Sequence, residues 1–184
     1  MIRAQNHDDL MELAQHATVP VINGLTNKSH PCQIMADILT LEEHLGPLEE
    51  QTIAWVGDGN NVAASFVHAV TRLGGKLRVA TPGPLSLSPD LLKWARSNGA
   101  DITVTTSADV AVAGATCVVT DAWVSMHDAD AANRHNLLKP YQVNANVMKL
   151  TGNPKVKFMH CLPAFHNAET KVGKDIKAKF GIDA

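Results

Sequence analysis

From Thr52 onward, short apolar runs alternate with amphipathic stretches, and this alternation confines the chain to one broad class of fold. Five runs, Ile53 to Val56, Leu77 to Ala80, Ile102 to Thr105, Cys117 to Thr120 and Val156 to Met159, have the apolar and β-branched content of buried strands. Between them the spacing predicts helices over Asn61 to Leu73, Pro89 to Ser97 and, more briefly, Ala108 to Ala113. Trp123 to Leu150 is expected to hold one or two more, with polar Asp128 to Asn136 facing water. Strands joined through helices require right-handed crossovers, so the expected fold is α/β, a doubly wound parallel sheet of order 3-2-1-4-5. Ligands in such sheets bind beyond the carboxyl ends of the strands where the winding reverses, here between the first and fourth.

The polar residues gather at that point. Asp58-Gly59-Asn60-Asn61 follows the first strand, Asp121-Ala122-Trp123-Val124-Ser125-Met126 the fourth, and His160-Cys161-Leu162-Pro163 the fifth. Taken alone, Cys161 is more readily a small buried hydrophobe, with His160 a capped loop residue, than a nucleophile served by His160. Convergence of three separate segments on one crevice favours a functional thiol. A nicotinamide site is the competing reading, because Gly57 and Gly59 supply two glycines of a G-x-G-x-x-G turn. The third glycine is missing, and Thr81-Pro82 stands where an acidic ribose ligand belongs.

The first fifty residues read differently. Asp8 to His16 is expected to be a short helix and Val19 to Asn23 a strand, followed by a polar loop, Gly24 to Ser29. Pro31 then opens a helix whose apolar stripe runs through Ile34, Met35, Ile38, Leu41 and Leu45. His30 and Gln33 therefore sit at a helix amino terminus, whose unpaired N–H groups suit an anion; the alternative reading of His30 is a helix cap and nothing more.

Composition limits the partners. Sixteen basic and eighteen acidic residues leave a formal charge of -2, without the basic face that nucleic acid or an anionic membrane requires. No apolar run approaches the eighteen residues of a membrane span. Three widely spaced cysteines, Cys32, Cys117 and Cys161, fit neither a disulfide framework nor a zinc ribbon and suit a reducing cytoplasm. A zinc site built on His160, Cys161 and His166 lacks a fourth ligand, and no metal is expected. His7, His16, His44, His68 and His135 have no evident convergent partner, and Trp55, Trp94 and Trp123 read as core, Trp123 bordering the crevice.

In order and spacing, His30-Pro31-Cys32-Gln33, Gly57-Asp58-Gly59-Asn60-Asn61, Asp121 to Met126 and His160-Cys161-Leu162-Pro163-Ala164 resemble the motifs of the ornithine carbamoyltransferases, within the aspartate/ornithine carbamoyltransferase family. The resemblance covers essentially the whole chain. It implies transfer of a carbamoyl group from carbamoyl phosphate to the side-chain amine of ornithine, without cofactor or metal, in a homo-oligomer, by family habit a trimer. It also implies that Arg3, His30 and Gln33 bind carbamoyl phosphate, that Asn61, Asp121, Ser125 and Met126 hold ornithine, and that Cys161 with Leu162 forms a catalytic loop shared by both. Asn60 matches less firmly than Asn61.

Those residue types suit the chemistry. An amine of pKa about 10.4 must lose a proton before it attacks, and neighbouring cationic ligands are expected to lower the Cys161 thiol from its usual value of about 8.5 so that it binds or deprotonates the ammonium. Alignment of two bound reactants is worth about 7 to 11 kcal/mol, so direct transfer is expected rather than a carbamoyl-cysteine. Asp121 would face the α-ammonium, Arg3 and His30 the developing oxyanion, and Gln33 the carbamoyl amide.

Departures from the family pattern bound the expectation. A Ser-Thr-Arg-Thr phosphate loop is absent from the sequence, His127 stands where the family commonly has glycine, and Cys32 replaces a frequent threonine. Residues 1–45 are expected to be the tail of a carbamoyl phosphate domain and 48–184 most of an ornithine domain, a fragment weak or inactive by itself. The alternatives are a carbamoyltransferase for a related amine such as putrescine, and a non-catalytic ligand-binding module.

Overall fold

The computed structural model describes residues 1–123, 131–162, 164 and 167–181. Two short strands, β1 (Ile2–Arg3) and β2 (Asn23–Leu25), pair in parallel around helix α1 (His7–His16), and α2 (Pro31–Leu45) follows. The strand expected over Val19 to Asn23 is displaced toward the carboxyl end. Its position follows the partner: Ile2 faces Asn23 and Arg3 faces Leu25, leaving Val19 and Ile22 exposed despite their β propensity.

The main sheet comprises β3 (Thr52–Val56), β4 (Lys76–Ala80), β5 (Asp101–Thr105), β6 (Cys117–Thr120) and β7 (Lys157–His160), all parallel, in the order β5-β4-β3-β6-β7. Counted within this sheet alone the order is 3-2-1-4-5; the chain-wide numbers differ only because β1 and β2 precede it. Helices α3 (Asn61–Leu73), α4 (Pro89–Ser97), α5 (Ala108–Val112), α6 (Ala131–Leu138), α7 (Ala145–Leu150) and α8 (Lys171–Phe180) complete the chain.

Strand alternation splits the core into two layers. Ile53 and Trp55 of β3, with Cys117 and Val119 of β6, pack against Ile34, Ile38 and Leu41 of α2 and Phe66 and Val70 of α3. Ala54, Val56 and Val118 point the other way, against Ala111, Val112, Tyr141 and Val147. All four residues from Ile53 to Val56 are fully buried, as a central strand covered on both faces must be. Because α2 belongs to the first layer, the amino-terminal residues His30 and Gln33 are carried onto the main sheet.

Two expectations need correction. The last strand begins at Lys157 rather than Val156, and the shift brings His160 into the ladder opposite Thr120. His135, expected in water, is 6% exposed. Its ring meets Trp123 edge-on at 6.1 Å, while the adjacent Arg134 donates to the Trp123 carbonyl and forms an ion pair with Asp58. Helix α6 thus turns part of its polar face inward, where charged partners offset the burial. Among the described residues, no helix is long and apolar enough to cross a membrane.

Candidate active site

The turn after β3 is built by glycine. Gly57 has φ 141°, and a Cβ at Gly59 would lie 2.5 Å from the Leu85 carbonyl oxygen and 2.8 Å from Leu87 N. Gly57 N–H donates to the Ala80 carbonyl (2.9 Å) and Gly59 N–H to that of Leu85 (2.8 Å). Asn60 then caps α3, its Oδ1 accepting from Val62 N–H and Ala63 N–H at 3.0 and 3.1 Å. A pyrophosphate would find these amides already engaged, which removes the physical basis of a dinucleotide turn.

The other edge of Asn60 reaches across the switch point. Its Nδ2 donates to Asp121 Oδ2 at 2.7 Å, while Asp121 Oδ1 accepts from Ala122 N–H and from the Cys161 thiol, each at 2.6 Å. The loops after β3, β6 and β7 therefore meet on one carboxylate. His160 is not the partner of the thiol: its Nδ1 contacts the Cys161 carbonyl oxygen instead. A cysteine–histidine dyad is thus replaced by a cysteine–aspartate pair.

The electrostatics reverse the expected direction for the thiol. Burial first, and then the hydrogen bond and charge of Asp121, push Cys161 up to about 12. Burial and the adjacent carboxylate both favour the neutral form, so Cys161 is a protonated hydrogen-bond donor at neutral pH and not a resting thiolate.

The carbamoyl phosphate candidates come from the amino-terminal elements. His30 stands at the N-cap of α2, its carbonyl accepting from Ile34 N–H at 3.3 Å, but its side chain makes no capping hydrogen bond. Its N–H donates to Ser65 Oγ at 2.8 Å, and its buried Nδ1 lacks a hydrogen-bond partner. Burial, then the charge of Arg3, lower the His30 pKa, while Asp121 acts in the opposite sense. The imidazole is accordingly neutral at pH 7 and in electrostatic reach of both Arg3 and Asp121. Arg3 itself is exposed on β1. Gln33, in the first turn of α2, donates through Nε2 to Asp37 Oδ1 at 2.8 Å. Burial raises the Asp37 pKa above the usual carboxylate value.

Not every expected residue joins the cluster. Asn61 Nδ2 donates to the carbonyl of fully buried Thr26 (2.7 Å), tying α3 to the Gly24 to Ser29 loop, so Asn60 and not Asn61 contacts Asp121. Leu162 is 85% exposed. Ser125, Met126, His127 and His166 lie outside the described residues. Thr26, Asp37 and Arg134 were missed by sequence reasoning; the Gln33–Asp37 pair alone left a trace, at i,i+4 spacing on a helix. A separate cavity of about 220 Å³, lined by Thr40, Leu41, His44, Lys157, Phe158 and Met159, shares none of the cluster residues. Among the described residues, no three His, Cys, Asp or Glu side chains gather as metal ligands would.

Known proteins share this arrangement of chain. Residues 49–178 match the Asp/Orn binding domain of aspartate/ornithine carbamoyltransferase, and residues 1–43 its carbamoyl-P binding domain. An ornithine carbamoyltransferase of Rhodopseudomonas palustris is 60% identical over 92% of this chain, and one of Rhizobium meliloti 53% identical over the same share. The matches cover 54% and 55% of those proteins, so the chain spans about half the length of the curated relatives it resembles. The ornithine carbamoyltransferase structure from Pyrococcus furiosus superposes with a TM-score of 0.82 at 41% identity, over 91% of this chain and 54% of that one. The Thermus thermophilus structure gives 0.78 at 40% identity, over 88% and 52%. With a parallel sheet, a polar switch point and family matches along nearly its whole length, the chain belongs to the aspartate/ornithine carbamoyltransferase family.

Proposed function

We propose that this chain contributes to transfer of the carbamoyl group of carbamoyl phosphate to the δ-amine of L-ornithine, giving L-citrulline and phosphate. The observation that carries the reading is the meeting of Asn60, Asp121 and Cys161 at the point where the strand order reverses. In this reading the amine attacks the carbonyl carbon, a C–N bond forms, and the C–O bond to phosphate breaks. Arg3 and His30 donate to the oxygen on which charge collects, and Gln33 accepts from the carbamoyl amide. Asp121 and Asn61, with Ser125 and Met126, hold the amino-acid end, and Cys161 and Leu162 border both substrates.

Cys161 borders the substrates as a thiol, its single S–H donated to Asp121 and its sulfur lone pairs free to accept, because burial and Asp121 hold it protonated. Freeing an ammonium of pKa about 10.4 at pH 7 costs roughly 4 to 5 kcal/mol, which alignment of the bound pair offsets. The departing phosphate, with its basic oxygens, takes the second amine proton. No covalent carbamoyl-cysteine is required.

The same reading assigns residues 1–45 to the carbamoyl phosphate side and 48–184 to the ornithine side, in an enzyme that assembles as a homo-oligomer, a trimer by family resemblance. Three free cysteines suit the reducing cytoplasm. The test is citrulline formation by this chain, beside the chain extended to the length of its relatives. Citrulline from the extended form supports the reading. Carbamoylputrescine in its place would move the assignment to another amine, and neither product would refute a carbamoyltransferase role.

A further inference from the structure

Gln33 can present either end of its amide to a ligand, and the two ends have opposite chemistry: Oε1 accepts, Nε2 donates. Nothing intrinsic to glutamine selects between them. Asp37, one helical turn further along α2, removes the choice. A carboxylate offers only acceptors, and Asp37 Oδ1 takes the Gln33 Nε2–H at 2.8 Å on the same helix face. Among the described residues no donor reaches Gln33 Oε1, so the amide turns its acceptor end away from Asp37. Asp37 is half-buried, and its carboxylate interacts electrostatically with Asp121 and with Cys161.

We propose that Asp37 is a specificity-determining positioning residue: by fixing the Gln33 amide with Oε1 outward, it makes the site select a phosphorylated acyl group that ends in NH2 over an otherwise similar group that ends in a carboxylate. This rests on the carbamoyl phosphate reading above. A terminal NH2 donates to Oε1, whereas a terminal carboxylate meets a lone pair and is repelled, and a site built to pair a donor rejects the ligand that lacks it. Asp37 touches no reacting atom; it acts through Gln33. Asn at position 37 offers an oxygen or an amino group with the same geometry, so both orientations of Gln33 become available. Glu keeps the acceptor-only character.

The experiment compares the affinity of two phosphonates, one ending in a carboxamide and one in a carboxylate, for the chain extended to the length of its relatives and for its Asp37→Asn and Asp37→Glu variants. Asp37 is half-buried, so salt screens its charge little, and NMR of the unsubstituted chain separates the orientation of the amide from the loss of a charge. The amide-to-carboxylate affinity ratio is expected to fall about tenfold in Asp37→Asn and to remain within about twofold in Asp37→Glu. A purely structural role would lower both affinities together, and an unchanged ratio in Asp37→Asn overturns the proposal. NMR of the unsubstituted 184-residue chain supplies a test independent of substrate and variant folding. The Gln33 side-chain amide signals should move together with the titration of Asp37, and signals that ignore it overturn the orientation. Failure of either phosphonate to bind, with Gln33 still following Asp37, would instead count against the carbamoyl phosphate reading.

Discussion

Asn60 and Asp121 lie 61 residues apart in sequence and meet at 2.7 Å, joining the carboxyl ends of the first and fourth strands of the main sheet. Asn60 serves two elements at once, because Oδ1 closes the amino end of α3 while Nδ2 holds Asp121. Asn60→Ala should therefore lose more than a cap. About 1 kcal/mol of stability is expected to go with the cap itself. Asn60→Asp keeps the capping oxygen but sets two carboxylates against each other, so its stability should change less than its ornithine affinity. Thermal unfolding and ornithine titration separate the two, and equal behaviour of the variants would show that Asp121 does not depend on Asn60.

Gly59 and Gly83 form a matched pair for testing the turn. A Cβ at Gly59 enters backbone atoms of Leu85, Ser86 and Leu87, which cannot swing aside as a side chain can. Gly59→Ala should cost about 2 to 3 kcal/mol in chemical denaturation. At Gly83 nothing lies within 4 Å of the added carbon, and Gly83→Ala should stay within about 0.5 kcal/mol of the parent. Similar losses at both positions would remove the close approach as the reason for glycine at 59.

Arg134 fastens α6 to the turn after β3 through Asp58 and to the Trp123 carbonyl. Both ionic side chains are largely buried, at 19% and 11% exposure, so the pair is not a screened surface bridge. Removing one partner leaves the other charge poorly solvated, a loss of about 3 kcal/mol. Arg134→Met should show it, and the double variant Arg134→Met with Asp58→Asn should recover part of it. A double variant as unstable as the sum of the singles would show that the two charges are not coupled.

The parallel sheet and its switch point were legible because buried strands and amphipathic helices have different periods, and the order of winding follows from chirality. What escaped depended on which of two similar groups lies nearer. Asn60 and Asn61 have identical chemistry, and only the geometry of the α3 cap sends one to Asp121 and the other to Thr26. The direction of the Cys161 shift is set by burial of the sulfur and by its closeness to Asp121, and sequence order says nothing of either. β2 moved because a strand of two residues, Ile2–Arg3, selected its register, outweighing the apolar run from Val19 to Ile22. His135 turned inward because an ion pair across 76 residues offset the burial of its helix.

The Cys161–Asp121 pair makes thiol reactivity a measure of the carboxylate. With the thiol held near 12, alkylation of Cys161 at pH 7.5 should be slow. Asp121→Asn removes the charge while leaving an amide oxygen that can still accept, and modification of Cys161, read by peptide mass spectrometry, should accelerate about tenfold. An unchanged rate would mean that burial alone protects the sulfur.

Cys117 carries a separate prediction on alkaline stability. It is fully buried at the start of β6, and burial, with the charge of Asp37, pushes its thiol up to about 12 from an ordinary 9.0. Folding thus favours the protonated form. Its contribution is fully present below pH 9, where the unfolded thiol also keeps its proton, and is lost as pH climbs through 9 toward 12, where only the unfolded chain ionises. The loss from this one group approaches about 1.4 kcal/mol per pH unit. Cys117→Ala should be less stable than the parent near neutral pH, by about 1 kcal/mol for the vacated volume, yet decline less steeply above pH 9. Lysines and tyrosine titrate in the same range in both proteins, so the difference between the two unfolding curves isolates the thiol. Parallel curves from pH 8 to 11 would show that Cys117 ionises no harder in the fold than outside it.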